Sequence, residues 1–260
     1  MDQRINETQP SAFAAVKTPQ PVRILIDPQP SLGRWNMAVD EALLESALLT
    51  GQCTVRWYAW SEPTISLGYF QSADLWRHSE LGHLPAVRRL SGGGALLHDQ
   101  ELTYSCVLPP SHPLVRIPPN LYVAVHEAIL GVLHRLGVQA ALRGASERQH
   151  DDEFLCFNRG EARDVILSGS KILGSAQRRR RGAILQHGGL LLRASKFAPQ
   201  FPGMFDQTGH STDPGALASA LADAVARVLG PQCLHDRLTP SEERLANHLM
   251  QTRYASPNRS

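Results

Sequence analysis

The sequence has few of the features that would mark a secreted, membrane or metal-scaffold protein. Its 260 residues hold four cysteines, Cys53, Cys106, Cys156 and Cys233. No two have Cys-x-x-Cys spacing, so neither a zinc ribbon nor a redox dithiol is indicated. There is no apolar run of about 18 residues, so no membrane span is expected. Residues 1–21 are polar and carry charges with no apolar centre, which argues against a signal peptide. Free thiols without a leader point to a reducing cytoplasm. Charge of one sign is also missing: the formal net charge is +2. A near-neutral chain argues against a general nucleic-acid binder. The G-x-G-x-x-G and Gly-Lys-Ser/Thr signatures are absent, which removes the dinucleotide fingerprint and the P-loop.

What remains is soluble globular composition, with 42% apolar and 19% charged residues. The length suffices for a substantial core. Residues 1–20, rich in Gln, Pro, Ser and Thr, read as a disordered tail, and 21–257 as one domain of mixed α and β structure. Strands are expected over 22–27, 53–60 and 64–69, the last two as a hairpin, and over 85–89 and 102–108. Helices are expected over 33–49, 73–81, 120–136, 216–229 and 239–252. Val165 to Arg193 reads as a β-meander, its last strand broken at Gly188-Gly189. Residues 202–214 read as loop. The acidic stretch with Glu147, Asp151, Asp152 and Glu153 reads as an exposed, solvated face.

One stretch stands out, Arg88-Arg89-Leu90-Ser91-Gly92-Gly93-Gly94-Ala95, followed by His98-Asp99. Three glycines allow close approach to the backbone, and exposed N–H groups beside cations suit an anionic or carbonyl-bearing ligand. A glycine-rich turn with no ligand is the plain alternative. His98 and Asp99 either orient each other or His98 is a satisfied rim histidine; His187 is equally open. A second candidate pair is Cys156 and Lys171. Cys156 sits between an acidic loop and the apolar Phe154–Phe157 island, and a thiolate needs a nearby cation or base. Lys171, isolated in a glycine-containing turn, can supply one; free cysteine is otherwise commonly a small buried hydrophobe. The run Arg178–Arg181 reads as a solvated hairpin tip or as a dock for an acidic partner.

Several segments in order resemble one superfamily, that of lipoate–protein ligase A, biotin ligase and the octanoyltransferases. The glycine stretch resembles its signature. Ser170-Lys171-Ile172-Leu173-Gly174-Ser175-Ala176-Gln177 resembles its lysine motif, and Leu185-Gln186-His187-Gly188-Gly189 the strand that follows. Asn36-Met37-Ala38 with Asp40-Glu41 is similar to its first helix, and Arg253-Tyr254 to its terminal Lys-Tyr. Phe154-Leu155-Cys156-Phe157 is similar to the nucleophile segment of the lipoate ligase-like octanoyltransferases, as is Asp99-Gln100-Glu101. The resemblance implies an α+β fold, a mixed and largely antiparallel sheet flanked by helices. It implies an octanoyl-[acyl carrier protein]:protein octanoyltransferase of lipoate biosynthesis, with Cys156 and Lys171 catalytic. Arg89, Ser91, Gly92, Gly93, Gly94, His98, Gly174, Ser175, Ala176 and His187 would bind substrate. No cofactor or metal is implied; ATP and Mg would be needed only by the alternative, a lipoate–protein ligase. The implied partners are octanoyl-acyl carrier protein and a lipoyl domain or glycine-cleavage H protein, with no nucleic acid and no membrane, and the chain is expected to be a monomer. A non-catalytic module holding an acylated partner is a third reading.

Overall fold

The computed structural model describes residues 20–144, 161–209 and 211–257. The tail, the acidic stretch from residue 145 and the Phe154–Phe157 island with Cys156 lie outside the described residues.

Eleven strands are described: β1 (Val22–Ile26), β2 (Thr54–Tyr58), β3 (Thr64–Leu67), β4 (Ala86–Arg88), β5 (Leu96–His98), β6 (Glu101–Leu108), β7 (Ala141–Leu142), β8 (Val165–Leu167), β9 (Ser170–Arg180), β10 (Ala183–Leu191) and β11 (Cys233–His235). Eight of them form one sheet in the order β11-β1-β2-β6-β10-β9-β8-β7. The β11–β1 and β1–β2 pairs are parallel and the other five antiparallel. This is the mixed, largely antiparallel sheet expected. The expected β2–β3 hairpin does not form. Pro63 and the bend before it turn the chain out of the main sheet, and β3 becomes the centre of a second sheet, β4-β3-β5.

Helices cover both faces of the main sheet. Six are described: α1 (Gly33–Thr50), α2 (Ala73–Arg77), α3 (Pro118–Arg135), α4 (Met204–Thr208), α5 (Pro214–Leu229) and α6 (Pro240–Gln251). α3 and α5 bury one stripe each against one face, and α1 with α6 against the other. α5 shows how the sequence sets this up. Asp213 accepts the Ala216 N–H at 2.8 Å as the helix cap, and Pro214 fills the first turn. Leu217, Leu221, Val225 and Leu229 then recur every four residues and are buried. Val228 and Leu136, both expected on apolar faces, are exposed. Val228 follows its neighbour by three residues and Leu229 takes the core position; Leu136 lies beyond the end of α3. The short helix α4 falls in the stretch expected to be loop.

The β10 strand is not broken at its glycines. Gly188 pairs with Tyr104 and Ser175, and Gly189 with Thr103 and Gly174, so the ladder runs through. The pairing needs glycine for a spatial reason. A Cβ on Gly188 would stand 2.3 Å from Ser175 Oγ and 2.5 Å from the Gly174 carbonyl.

The arginine run is split between the fold and solvent: Arg178 and Arg180 are half-buried, while Arg179 and Arg181 are exposed. The tight turn of the β9–β10 hairpin falls at Arg181 and Gly182, both with positive φ. Below it Arg179 donates to the Val115 carbonyl at 2.8 Å, and Arg180 pairs with Glu41 and Glu45. Arg178 lies 4.7 Å over the Tyr69 ring. Arg181 at the tip and the exposed Arg179 fit the solvated reading; Arg178 and Arg180 do not.

Candidate active site

The glycine stretch links β4 to β5 and forms one wall of a cavity of about 330 Å³. Arg89 builds this wall. Its guanidinium donates to the Ser66 carbonyl and hydroxyl at 2.7 and 3.1 Å and to the Gly92 and Gly94 carbonyls at 2.8 and 2.6 Å. An arginine so engaged shapes the loop. The glycines do different work. Gly93 takes φ +94° and its carbonyl lies where a Cβ on Gly68 would stand, 1.9 Å away. Gly92 has open space where its Cβ would be, and with Gly93 it lines the cavity. Ser91 and Gly94 do not line it.

Behind this wall lie two buried histidines. His98 Nδ1 is 2.8 Å from Glu101 Oε1 and its Nε2 is 2.7 Å from Ser66 Oγ. The ring stacks on Trp60 with centroids 3.9 Å apart. Its partner is thus Glu101; Asp99 instead accepts from Ser195 at 2.7 Å. His187 Nε2 is 2.5 Å from Ser91 Oγ, and its Nδ1 is 3.4 Å from Asp40 Oδ2. Asp40 also accepts from Arg56 and from the Tyr58 hydroxyl, each at 3.0 Å. Burial pushes the Asp40 carboxyl up, but the His187 hydrogen bond and the Arg56 charge outweigh it and hold it below its ordinary value.

The opposite wall is β9 with α3 and the segment entering β8. Lys171 Nζ is 3.0 Å from Asp164 Oδ2, and both side chains are largely buried. Asp164 is itself fixed by the Glu161 N–H at 2.8 Å. The lysine stem lies over Gly174, where a Cβ would be 2.4 Å from Lys171 Cε and 2.7 Å from Nζ. This explains a glycine three residues after the lysine. Ser175 and Ala176 continue the wall, with His126 of α3 behind Ser175.

Of the predicted site residues, the structure gathers Lys171, Arg89, Gly92, Gly93, His98, Gly174, Ser175, Ala176 and His187 around this one cavity. Ser91 acts on it through His187. Cys156 lies outside the described residues. The other three thiols are poor nucleophiles: burial pushes Cys53 up to about 12, Cys106 is raised by burial, and Cys233 is also raised. Sequence reasoning did not single out His126, Asp164 or Tyr104. His126 leaves a signal, a polar residue on the buried face of α3 beside Val125 and Ile129.

A family model described as the lipoyl protein ligase A/B catalytic domain matches residues 33–217. Octanoyltransferase LipM of Moorella thermoacetica is 35% identical over 238 residues, covering 80% of this chain and 86% of that protein. Octanoyltransferase LipM of Kyrpidia tusciae is 34% identical over 251 residues, covering 83% and 90%. A lipoate-protein ligase A bound with ATP superposes with TM-score 0.70 at 22% identity, covering 91% of this chain and 97% of that one. A bipartite lipoate protein ligase from Thermoplasma acidophilum gives 0.68 at 23% identity, covering 91% and 93%. These structures share the fold; the family model and the octanoyltransferase relatives define an acyltransferase enzyme. The chain belongs to the lipoyl protein ligase A/B catalytic-domain family. Among the described residues, no helix is long and apolar enough to cross a membrane.

Proposed function

We propose that the protein moves octanoate from octanoyl-acyl carrier protein, through a thioester on Cys156, to a lysine of a lipoyl domain or glycine-cleavage H protein in the cytoplasm, without cofactor. The observation that carries this reading is the Lys171–Asp164 pair at a cavity wall facing a glycine loop. It offers a fixed cation to a thiolate and a proton donor to a leaving sulfur. The names of the LipM relatives support the octanoyl group as cargo.

In the first half-reaction the Cys156 thiolate attacks the octanoyl carbonyl. The carrier's carbon–sulfur bond breaks, and the departing thiolate takes a proton from Lys171. In the second, the acceptor's ε-amine attacks the Cys156 thioester. The amide bond forms, Cys156 leaves as thiolate, and the amine's proton returns to Lys171. N–H groups of the Gly92–Gly94 loop stabilise the oxyanion in both, an interaction worth about 3–4 kcal/mol in comparable sites.

Protein incubated with octanoyl-acyl carrier protein is expected to gain one octanoyl mass on Cys156, removable by hydroxylamine. Full transfer by Cys156→Ser would overturn the covalent route. Modification that requires lipoate and ATP and proceeds without the carrier would establish a ligase instead.

A further inference from the structure

A hydrogen-bond chain runs from the core of the sheet to the lysine wall, and its direction can be assigned throughout. His126 Nδ1 lies 2.5 Å from the Arg163 carbonyl, which only accepts, so Nδ1 carries a proton. Burial, together with the charges of Lys171 and Arg163, brings the His126 ring down to about 4, so the ring is neutral near pH 7. Nε2 is then a bare lone pair, and the Ser175 hydroxyl 2.6 Å away must donate to it. From the other side, Gln177 Nε2 donates to Gln186 Oε1 at 2.7 Å, and Gln186 Nε2 to the Tyr104 hydroxyl at 2.8 Å. Tyr104 passes its own proton to Ser175 Oγ at 2.7 Å.

Ser175 therefore has its one proton committed to His126 and one lone pair committed to Tyr104. The lone pair that remains belongs to an oxygen on the cavity wall. Only an N–H or O–H donor satisfies it. The thioester carbonyl, the acyl chain and a thiolate have no proton to offer. The acceptor amine has two.

We propose that Ser175 is the hydrogen-bond acceptor that orients the incoming lysine amine, and that His126 is the positioning residue that holds the Ser175 hydroxyl in that role. The inference rests on the acyl-enzyme reading above. One amine N–H donates to Ser175 Oγ, which fixes the direction of the nitrogen lone pair for its attack on the acyl thioester. The nitrogen–carbon bond forms, the carbon–sulfur bond breaks, and the amine's other proton goes to Lys171. Gly188 belongs to the same device, since a side chain there would occupy the place of Ser175 Oγ.

The test measures the two half-reactions separately in the full chain, with octanoyl-acyl carrier protein as donor and a lipoyl domain as acceptor. Ser175→Ala and His126→Phe are expected to slow transfer from octanoyl-Cys156 about 10-fold, the scale of one lost hydrogen bond. Acylation of Cys156 should stay within about 2-fold, because that step brings no amine to Ser175. His126→Gln, whose Oε1 can still accept from Ser175, should recover most of the transfer rate. Equal losses in both half-reactions, or a Gln variant no better than Phe, would overturn the assignment, with Ser175→Ala deciding should the Phe variant fail to fold. Wild-type transfer without any octanoyl-Cys156 would instead overturn the acyl-enzyme reading beneath it.

Discussion

On the glycine-loop side of the cavity His98 and His187 each rest on a buried carboxylate, Glu101 and Asp40; on the lysine side His126 rests on a backbone carbonyl. All three carry a serine hydroxyl on Nε2. The difference lies in where the carboxylates are spent. On the loop side they fix imidazoles and so fix the loop. On the lysine side Asp164 goes to Lys171, and the histidine is left neutral beside cations. One wall is a rigid frame, and the other holds the charge that chemistry can move.

Lys171→Met tests that division most severely. Transfer should fall by about 1,000-fold, within the range for a lost proton-transfer group, with the fold retained by circular dichroism. The frame should respond in the opposite way. Asp40→Ala removes one of the two carboxylates paired with the buried Arg56, which keeps Asp27, and leaves the buried Tyr58 hydroxyl without its acceptor; it should cost about 2–3 kcal/mol in urea unfolding.

Acid separates the walls again. His126 is near 4 when folded against an ordinary 6.5, so the unfolded chain binds more protons between those values. Stability rises with pH across that window, by up to about 3 kcal/mol, and is lost on acidification through it. Asp40, held below its ordinary value, adds stability above that value that disappears only at lower pH. A pH series of urea midpoints should show the first loss vanish in His126→Gln and the second persist.

The glycines give the smallest contrast. Gly188→Ala meets Ser175 Oγ and a backbone carbonyl and should cost about 1–3 kcal/mol. Gly92→Ala meets nothing within 4 Å and should stay within about 1 kcal/mol by thermal unfolding. A large Gly92 effect would mean that the loop wall is less open than drawn.

Much of this was legible in the residues. Periodicity placed the long helices, and the order of the glycine, lysine and His187 motifs placed most of the cavity wall. What was not legible came from long-range contacts. Pro63 marks a break after β2, yet nothing local says that Thr64–Leu67 then joins a second sheet, since strand propensity is the same for either partner. Arg89 has the look of a ligand-binding cation, and only the turn of the loop reveals that carbonyls occupy it. His98 precedes Asp99 in sequence, yet the bend at residues 99–100 between β5 and β6 turns Asp99 to Ser195 and brings Glu101 round to the imidazole. Asp164 becomes a lysine partner through the β8–β9 turn, which the sequence marks only as Ser168-Gly169.

Glu41 carries a consequence of its own. One of its oxygens holds Arg180 at the head of the hairpin whose strand bears Lys171, and the other accepts the Tyr254 hydroxyl at 2.7 Å. Arg253 adds a contact at 3.2 Å. The end of α6 and the strand that bears Lys171 thus share one anchor on α1. They are expected to open together: amides of α6 and of β9 should exchange their hydrogens at matching free energies, as one cooperative unit, although residues 251 and 171 are far apart in the chain.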